Sequence, residues 1–350
     1  MTSVPETFAL TPSSAVITPN ILRYLLQVAD EHGVSLDRAL RAASLTRAAI
    51  ESPALRVSYR QGRVIIEQAL TMLPVPALGL EVGGRQPITA SGLLGLAMMS
   101  SATLREAVMV GLRFQNLAGS MVRWSSTEEA SALVVTAALQ EPSSAVGRFL
   151  VDEGFATITR MARDVAGGVG PRLVELSHAA GADSSVYREH FGSAVRFSST
   201  RNAWHIPLAA AHARLPSADA WTHRDTVTML EAQTESLVER QELVAVLAAQ
   251  IEEALPEVLP LAVHARALAT SERTLRRRLI EVGASYSGVL DDVRKRLTAE
   301  LFASPQLTTA EIAFRLGYQE DRSLRRSTQR WFGSSPAALH AEARRPSPAR

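Results

Sequence analysis

Apolar residues recur at three- and four-residue spacing through the first hundred positions, the signature of amphipathic helices. Asn20 is placed to cap a helix carrying Ile21, Leu22, Leu25, Leu26 and Ala29 on one face, ending near His32-Gly33. A short helix over 35–43 follows, and residues 59–72 repeat the period through Val64, Ile65, Ala69 and Met72 before Pro74. Residues 77–82 read as a short strand ahead of Gly83-Gly84. Helices are then expected over 92–99 and 104–117, around Ser100-Ser101.

The period now shortens to two. Residues 121–125 and 132–139 predict strands joined by a polar turn at Thr127-Glu128-Glu129. Helical spacing returns over 146–165 and stops at Gly167-Gly168. Strands over 172–177, 194–197 and 203–206 surround a helix at 187–191. Residues 20–208 therefore predict one α+β domain. The first 19 residues, with Pro5, Pro12 and Pro19, read as a flexible tail. Residues 209–240 read as a linker, with Pro216, and a connecting helix. From 241 to 343 every segment reads as helix, and 344–350 as a tail.

The all-α part contains a repeat with a period of 49 residues, in which Val263 to Arg277 lies over Ile312 to Arg326. Its centre is Glu272-Arg-Thr-Leu-Arg-Arg against Asp321-Arg-Ser-Leu-Arg-Arg. Each copy is a short apolar helix, a polar turn and a helix dense in arginine, which is the layout of a helix-turn-helix. Ser271 is a good cap for the first basic helix; Thr308 with Glu311 forms a capping box, and Gly317 ends the second leading helix. Leu275 and Leu279 face inward, so Arg273, Arg276 and Arg277 share an outward stripe that Arg322, Arg325 and Arg326 repeat. Such a stripe suits a major groove, where a guanidinium meets guanine bidentately or bridges phosphates. The candidate DNA contacts are Arg273, Thr274, Arg276 and Arg277 in the first copy, and Asp321, Arg322, Ser323, Arg325 and Arg326 in the second. Between the copies, residues 286–302 predict one helix with an apolar seam of Val289, Leu290, Val293, Leu297 and Leu301, leaving Lys295 toward solvent. Seventeen residues span roughly 25 Å, a spacer of the order of one DNA turn.

Charge changes this picture by giving it a direction. Residues 261–350 hold 16 basic and 9 acidic side chains, net +7, whereas residues 1–260 hold 21 and 26, net −5. A basic module for a polyanion on a mildly acidic body follows, although a basic stripe alone also fits a solvated helix face. Lys295 is the sole lysine and there is no cysteine, which removes P-loop chemistry, thiol nucleophiles and zinc–thiolate sites. No signal peptide or membrane span is expected, and the place of work expected is the cytoplasm.

Residues 241–343 resemble the DNA-binding domain of the AraC/XylS family of bacterial transcription regulators. The resemblance is carried by Leu268-Ala-Thr-Ser-Glu-Arg-Thr-Leu-Arg-Arg-Arg-Leu279, Glu311-Ile-Ala-Phe-Arg-Leu-Gly-Tyr318 and Arg330-Trp-Phe-Gly-Ser-Ser-Pro336. It implies an all-α domain of seven helices with two helix-turn-helix units joined by a long helix, contacting two successive major grooves. Residues 20–208 resemble the arabinose-binding-type effector domain of one AraC subgroup, through Phe191-Gly-Ser-Ala-Val-Arg-Phe197, Arg201-Asn202 and Leu215-Pro-Ser-Ala-Asp219. That implies an effector-responsive activator, with double-stranded DNA, RNA polymerase and a small-molecule effector as partners. No ligand-binding residue is assigned by the sequence; the helices at 21–29 and 59–72 fit either a pocket wall or ordinary core. Leu230, Leu237 and Val238 fit either a homodimer interface or packing on the effector domain.

One departure stands out: the family carries aromatic residues at core positions of its second basic helix, where this chain has Leu324 and Thr328. The slot at Thr328 is expected to be underpacked. No enzyme, cofactor or metal is expected. Gly167-Gly168-Val169-Gly170 lacks the setting of a phosphate cradle, the eight histidines lack ligand spacing, and His264 reads as surface or core. The alternatives are a ligand-independent architectural DNA-binding protein and a DNA-tethered enzyme, a cysteine alkyltransferase being excluded.

Overall fold

Caps and glycines set where the elements of the first unit begin and how closely they pack. The computed structural model describes residues 17–343 except 53–54, 119, 140–143, 182–183, 283, 303, 305 and 333, and except the side chains of 236–241 and 341–343. The chain divides into two units, Ala15–Glu235 and residues 236–350. α1 (Asn20–Glu31) buries Leu22, Leu25, Leu26, Val28 and Ala29. Asn20 does not cap it; its side-chain amide donates to the Ala90 carbonyl at 3.0 Å. α2 (Asp37–Ala42), α3 (Arg47–Ile50) and α4 (Tyr59–Met72) follow, α4 opening with a capping box between Ser58 and Gln61. Next come α5 (Leu78–Gly84), α6 (Leu93–Met99), α7 (Leu104–Arg113), α8 (Gln115–Ala118), β1 (Arg123–Glu129), β2 (Ala132–Ala138) and α9 (Ala145–Val165).

The helix α5 corrects the strand expected at 77–82. Gly79 and Gly83 lie four apart on one face, and a Cβ there would stand 2.5 Å from the Phe149 carbonyl oxygen and 2.1 Å from that of Glu153. The two glycines let α5 lie directly on α9, an approach that a strand pattern does not foresee. Two further boundaries move. The helix expected over 104–117 breaks at Phe114, where Gln115 instead bonds the Trp124 backbone through both ends of its amide. The polar residues Thr127, Glu128 and Glu129 belong to β1 rather than to a turn, which falls at Ala130-Ser131. As the edge strand β1 presents charge outward, with Glu128 on Arg105 and Glu129 on Arg201.

β3 (Leu173–Glu175), α10 (Ser184–Phe191), β4 (Ala194–Arg196) and β5 (Asn202–Pro207) complete a five-stranded sheet of order β1-β2-β5-β3-β4, antiparallel except for β3 with β4. The sheet packs on α9, where Trp204 is fully buried and donates to Thr159 Oγ1 at 2.9 Å. α11 (Leu208–Ala211) and the buried Leu215 occupy the stretch read as a linker. Asp219 then caps α12 (Ala220–Ala254), its carboxylate accepting from the Thr222 amide at 2.7 Å. Leu230 packs with Leu94, Ala97, Val110 and Phe114 of its own unit. Leu237 and Val238 lie outside the described side chains.

The second unit consists of the end of α12, α13 (Leu261–Ala267), α14 (Glu272–Glu281), α15 (Tyr286–Phe302), α16 (Thr309–Arg315), α17 (Asp321–Phe332) and α18 (Pro336–Ala343). α15 serves two cores. Val289, Leu290 and Val293 join Leu247, Ile251, Leu275 and Leu279, while Phe302 joins Ile312, Ala313, Leu316 and Leu324. In its C-terminal half Thr298 and Phe302 are buried, and Leu297 and Leu301 are only partly so, which shifts the expected seam by one residue.

Candidate nucleic-acid interface and internal cavity

Two helices present the arginine stripes. Ser271 caps α14 by accepting from the Thr274 amide at 3.1 Å, and Leu275 and Leu279 are buried beneath it. That leaves Arg273, Arg276 and Arg277 exposed on the far side, with Thr274 half-buried at the edge. On α17, Leu324, Ser327 and Thr328 are buried. Asp321, Arg322, Arg325 and Arg326 are exposed and Ser323 is half-buried, accepting from Arg326 at 3.3 Å. Each expected residue is therefore on an outward face, and the two sets share one unit.

Their electrostatic states differ. Arg276 pairs with Glu272 at 2.6 Å and Arg277 with Glu281 at 2.7 Å, both one helical turn away. Among the described residues, no carboxylate pairs with Arg273, Arg322 or Arg325.

The 49-residue repeat holds for the basic helices but not for the leading ones. Leu324 lies 49 positions after Leu275 and both are fully buried. The same offset would match Val263, 39% exposed, with Ile312, which is fully buried. An offset of 48 matches buried His264 and Ala265 with buried Ile312 and Ala313 instead, and the ends of α13 with those of α16. The second turn is thus one residue longer. Identity between the copies registers the arginine helices, and burial registers the helices beneath them.

Several contacts that hold the second unit carried no signal in the sequence pattern. Arg294 of α15 donates from Nε to the Leu316 carbonyl at 2.8 Å and from Nη2 to that of Gly317 at 2.9 Å, satisfying two carbonyls at the end of α16. Its guanidinium lies 4.2 Å from the Tyr318 ring centroid, and the Tyr318 hydroxyl donates to Ser327 Oγ at 2.9 Å. Asp291 accepts from Trp331 Nε1 at 2.8 Å and also pairs with Arg330. Lys295, expected toward solvent, is half-buried with Nζ 5.9 Å from the Phe332 ring. Thr328 is fully buried and its hydroxyl donates to the Arg325 carbonyl at 3.0 Å, so the polar group in that slot is satisfied within its own helix.

His264 is buried, 3.2 Å from Gln250 Oε1, and burial holds its pKa below the usual histidine value. It is a core residue. His205 is likewise buried, 2.7 Å from Glu175 Oε2. Gly167 and Gly168 form the left-handed turn that closes α9, where an added Cβ would meet nothing within 4 Å. Among the described residues no acidic or histidine cluster is placed to hold a metal ion, and no helix is long and apolar enough to cross a membrane.

The first unit contains a partly open cavity of about 190 Å³ lined by α7, α9 and the β1–β2 edge of the sheet. Ile21 of α1 lines it; α4, the other helix considered for a pocket wall, contributes nothing. Glu153 of α9 lines it as well, 6% exposed, accepting from Gln86 Nε2 and from Thr157 Oγ1 at 3.0 Å. Desolvation pushes its carboxyl up to about 7 against these two donors.

The comparisons with known proteins agree with this division. The profile of the arabinose-binding domain found at the N-terminus of AraC transcription regulators matches residues 33–215, and a helix-turn-helix domain profile matches residues 264–342. The ornithine utilization regulator of Pseudomonas aeruginosa is 31% identical over 319 residues, 89% of this chain and 93% of that protein. The regulator VirS of Mycobacterium tuberculosis is 28% identical over 287 residues, 79% and 82% of the two chains. The crystal structure of the transcriptional regulator CdpR from Pseudomonas aeruginosa aligns over 92% of this chain and 98% of its own, at 22% identity and a TM-score of 0.47.

Proposed function

The chain belongs to the AraC family of transcription regulators, and from that premise we propose that α14 and α17 enter two successive major-groove segments of one operator. It is a DNA-binding regulator with an α+β effector-type domain and a helical helix-turn-helix domain. The observation that carries the finer reading is the pair of outward arginine faces, Arg273, Arg276 and Arg277 on α14 and Arg322, Arg325 and Arg326 on α17, braced by one helix, α15. Thr274, Ser323 and Asp321 flank these faces, and Asp321 suits a cytosine amino group better than a phosphate. Residues 20–208 serve as the effector-binding domain, 209–240 as the connection and 241–343 as the DNA-binding domain. The regulator acts in the cytoplasm as an effector-responsive activator, and activation requires contact with RNA polymerase. The exposed Met229 and Trp221 of α12 are apolar positions that a homodimer would cover.

A footprint on the preferred operator tests the groove reading. Two protected segments on one DNA face, about 34 Å apart, are expected. One segment of half that extent would mean that α17 stays outside the groove. The effector reading has its own measurement: native mass spectrometry of the protein purified from cells should show a bound small molecule, and consistently empty protein would count against it.

A further inference from the structure

The cavity in the first unit has a specific chemistry. Of the described residues that line it, Glu153 alone is charged, and no Arg, Lys or His is among them. Its walls are mostly apolar, with Thr18, Asn20 and Ser91 as polar positions in or beside α1, and Met98, Met121 and Met161 among them can adjust to a guest. The polar residues at the β1 side spend their groups on one another. Gln115 holds the Trp124 backbone, and Ser120 accepts from Trp124 Nε1 at 2.8 Å while donating to the Val122 carbonyl. Glu153 is different. Both of its donors, Gln86 and Thr157, converge on Oε1, and Oε2 accepts from none of the described residues.

We propose that this cavity is the effector site and that it takes a compact, largely apolar primary amine whose ammonium is received by Glu153 Oε2. The assignment deepens the effector reading above and rests on it. A half-satisfied carboxylate in an apolar wall is costly unless a cation or donor completes it, and an ammonium supplies both charge and hydrogen bond. Carboxylates and phosphates meet a like charge with no basic residue to offset it. A sugar would leave several of its hydroxyls against the apolar part of the walls without partners. Size sets a further limit. A cavity of 150 Å³ holds benzene, so one of about 190 Å³ takes on the order of eight to ten non-hydrogen atoms. The Glu153 carboxyl, pushed up to about 7 by burial, would return toward an ordinary carboxylate as the ammonium docks.

Three probes of nearly equal size separate the classes: 2-phenylethylamine, 2-phenylethanol and phenylacetate, titrated calorimetrically into the full chain at pH 8. The amine should bind at least tenfold tighter than the alcohol, and phenylacetate should bind most weakly. In Glu153→Gln the preference of amine over alcohol should fall below twofold while the alcohol still binds. Val108→Phe, which places a ring in the cavity wall, should weaken all three. An alcohol that binds as tightly as the amine would make Glu153 a neutral acid rather than a cation receptor, and would overturn the assignment. Binding of phenylacetate above the amine, no binding of any probe, or amine preference that survives Glu153→Gln would overturn it equally. Failure of these titrations is distinguishable from failure of the effector reading, which would leave protein purified from cells without a bound small molecule in native mass spectrometry.

Discussion

The two helix pairs of the second unit, α13–α14 and α16–α17, follow one sequence plan and are held together by different means. In the first, Ala269 takes the left-handed turn position at φ 51°, and the core beneath α14 is leucine on leucine at 275 and 279. In the second, Gly317 takes that position at φ 69°, so close to the 255–258 segment that a Cβ would stand 2.5 Å from the Pro256 carbonyl oxygen. Thr328 replaces the second leucine, and Arg294, Tyr318, Ser327, Asp291 and Trp331 form polar and cation–π contacts with no counterpart around α14 among the described residues. The comparison teaches that apolar volume lost from a small helical core can be replaced by charge-assisted contacts from a neighbouring helix. It also alters the expectation at Thr328: the second helix pair is braced by these contacts rather than left underpacked.

The largest expected effect follows from removing that brace. Arg294→Ala leaves two helix-end carbonyls without their donor and removes the cation from Tyr318, a loss of about 2–4 kcal/mol. Hydrogen exchange should accelerate over 316–328 and stay unchanged over 268–279. Equal acceleration in both units would mean that Arg294 supports the whole domain rather than one half.

The turns should answer substitution with opposite signs. Gly317→Ala combines a left-handed alanine with a clash on Pro256 and should cost about 2–3 kcal/mol. Ala269→Gly removes the left-handed penalty at a position that already tolerates a Cβ, and should stabilise by about 0.5–1 kcal/mol in thermal unfolding. Destabilisation by both would erase the distinction between the turns.

On DNA, the unpaired Arg325 should matter more than Arg276. Arg325→Ala should cost about 1–3 kcal/mol on the preferred operator and relax choice at one base pair. Arg276→Ala should cost less, because Arg276 must first leave Glu272, an exposed pair worth only a few tenths of a kcal/mol. Binding measured across an operator library decides the matter: uniform weakening by both variants would make these arginines phosphate contacts.

The smallest effect concerns Thr328. The side chain is fully buried and its hydroxyl is satisfied, so Thr328→Leu should overpack the slot and destabilise by about 1 kcal/mol. Stabilisation would reveal unfilled space and restore the expectation of an underpacked slot.

Some of this was legible because it is local. The helical period of 286–302, the caps at Ser271 and Thr308, and the alternation of buried leucine with exposed arginine on α14 all depend on spacing within one or two turns of chain. The charge division between the two parts of the chain is likewise a property of composition. Amino-acid order alone therefore determined a basic, helical helix-turn-helix region with a repeated arginine helix, behind an α+β domain. Registering the duplication was harder, since six similar residues around the arginines suggested 49 throughout, whereas the leading helices obey 48.

Tertiary structure decided what depends on partners distant in the chain. Residues 77–84 are a helix because Gly79 and Gly83 meet the backbone of α9, some seventy positions away. Arg294 and Asp291 look like ordinary surface charges on α15 until the 316–331 segment folds against them. Glu153 is one carboxylate among many by sequence. It becomes a candidate site only because α7, α9 and the sheet form a mostly apolar cavity beside it, where it is the one charge among the described lining residues.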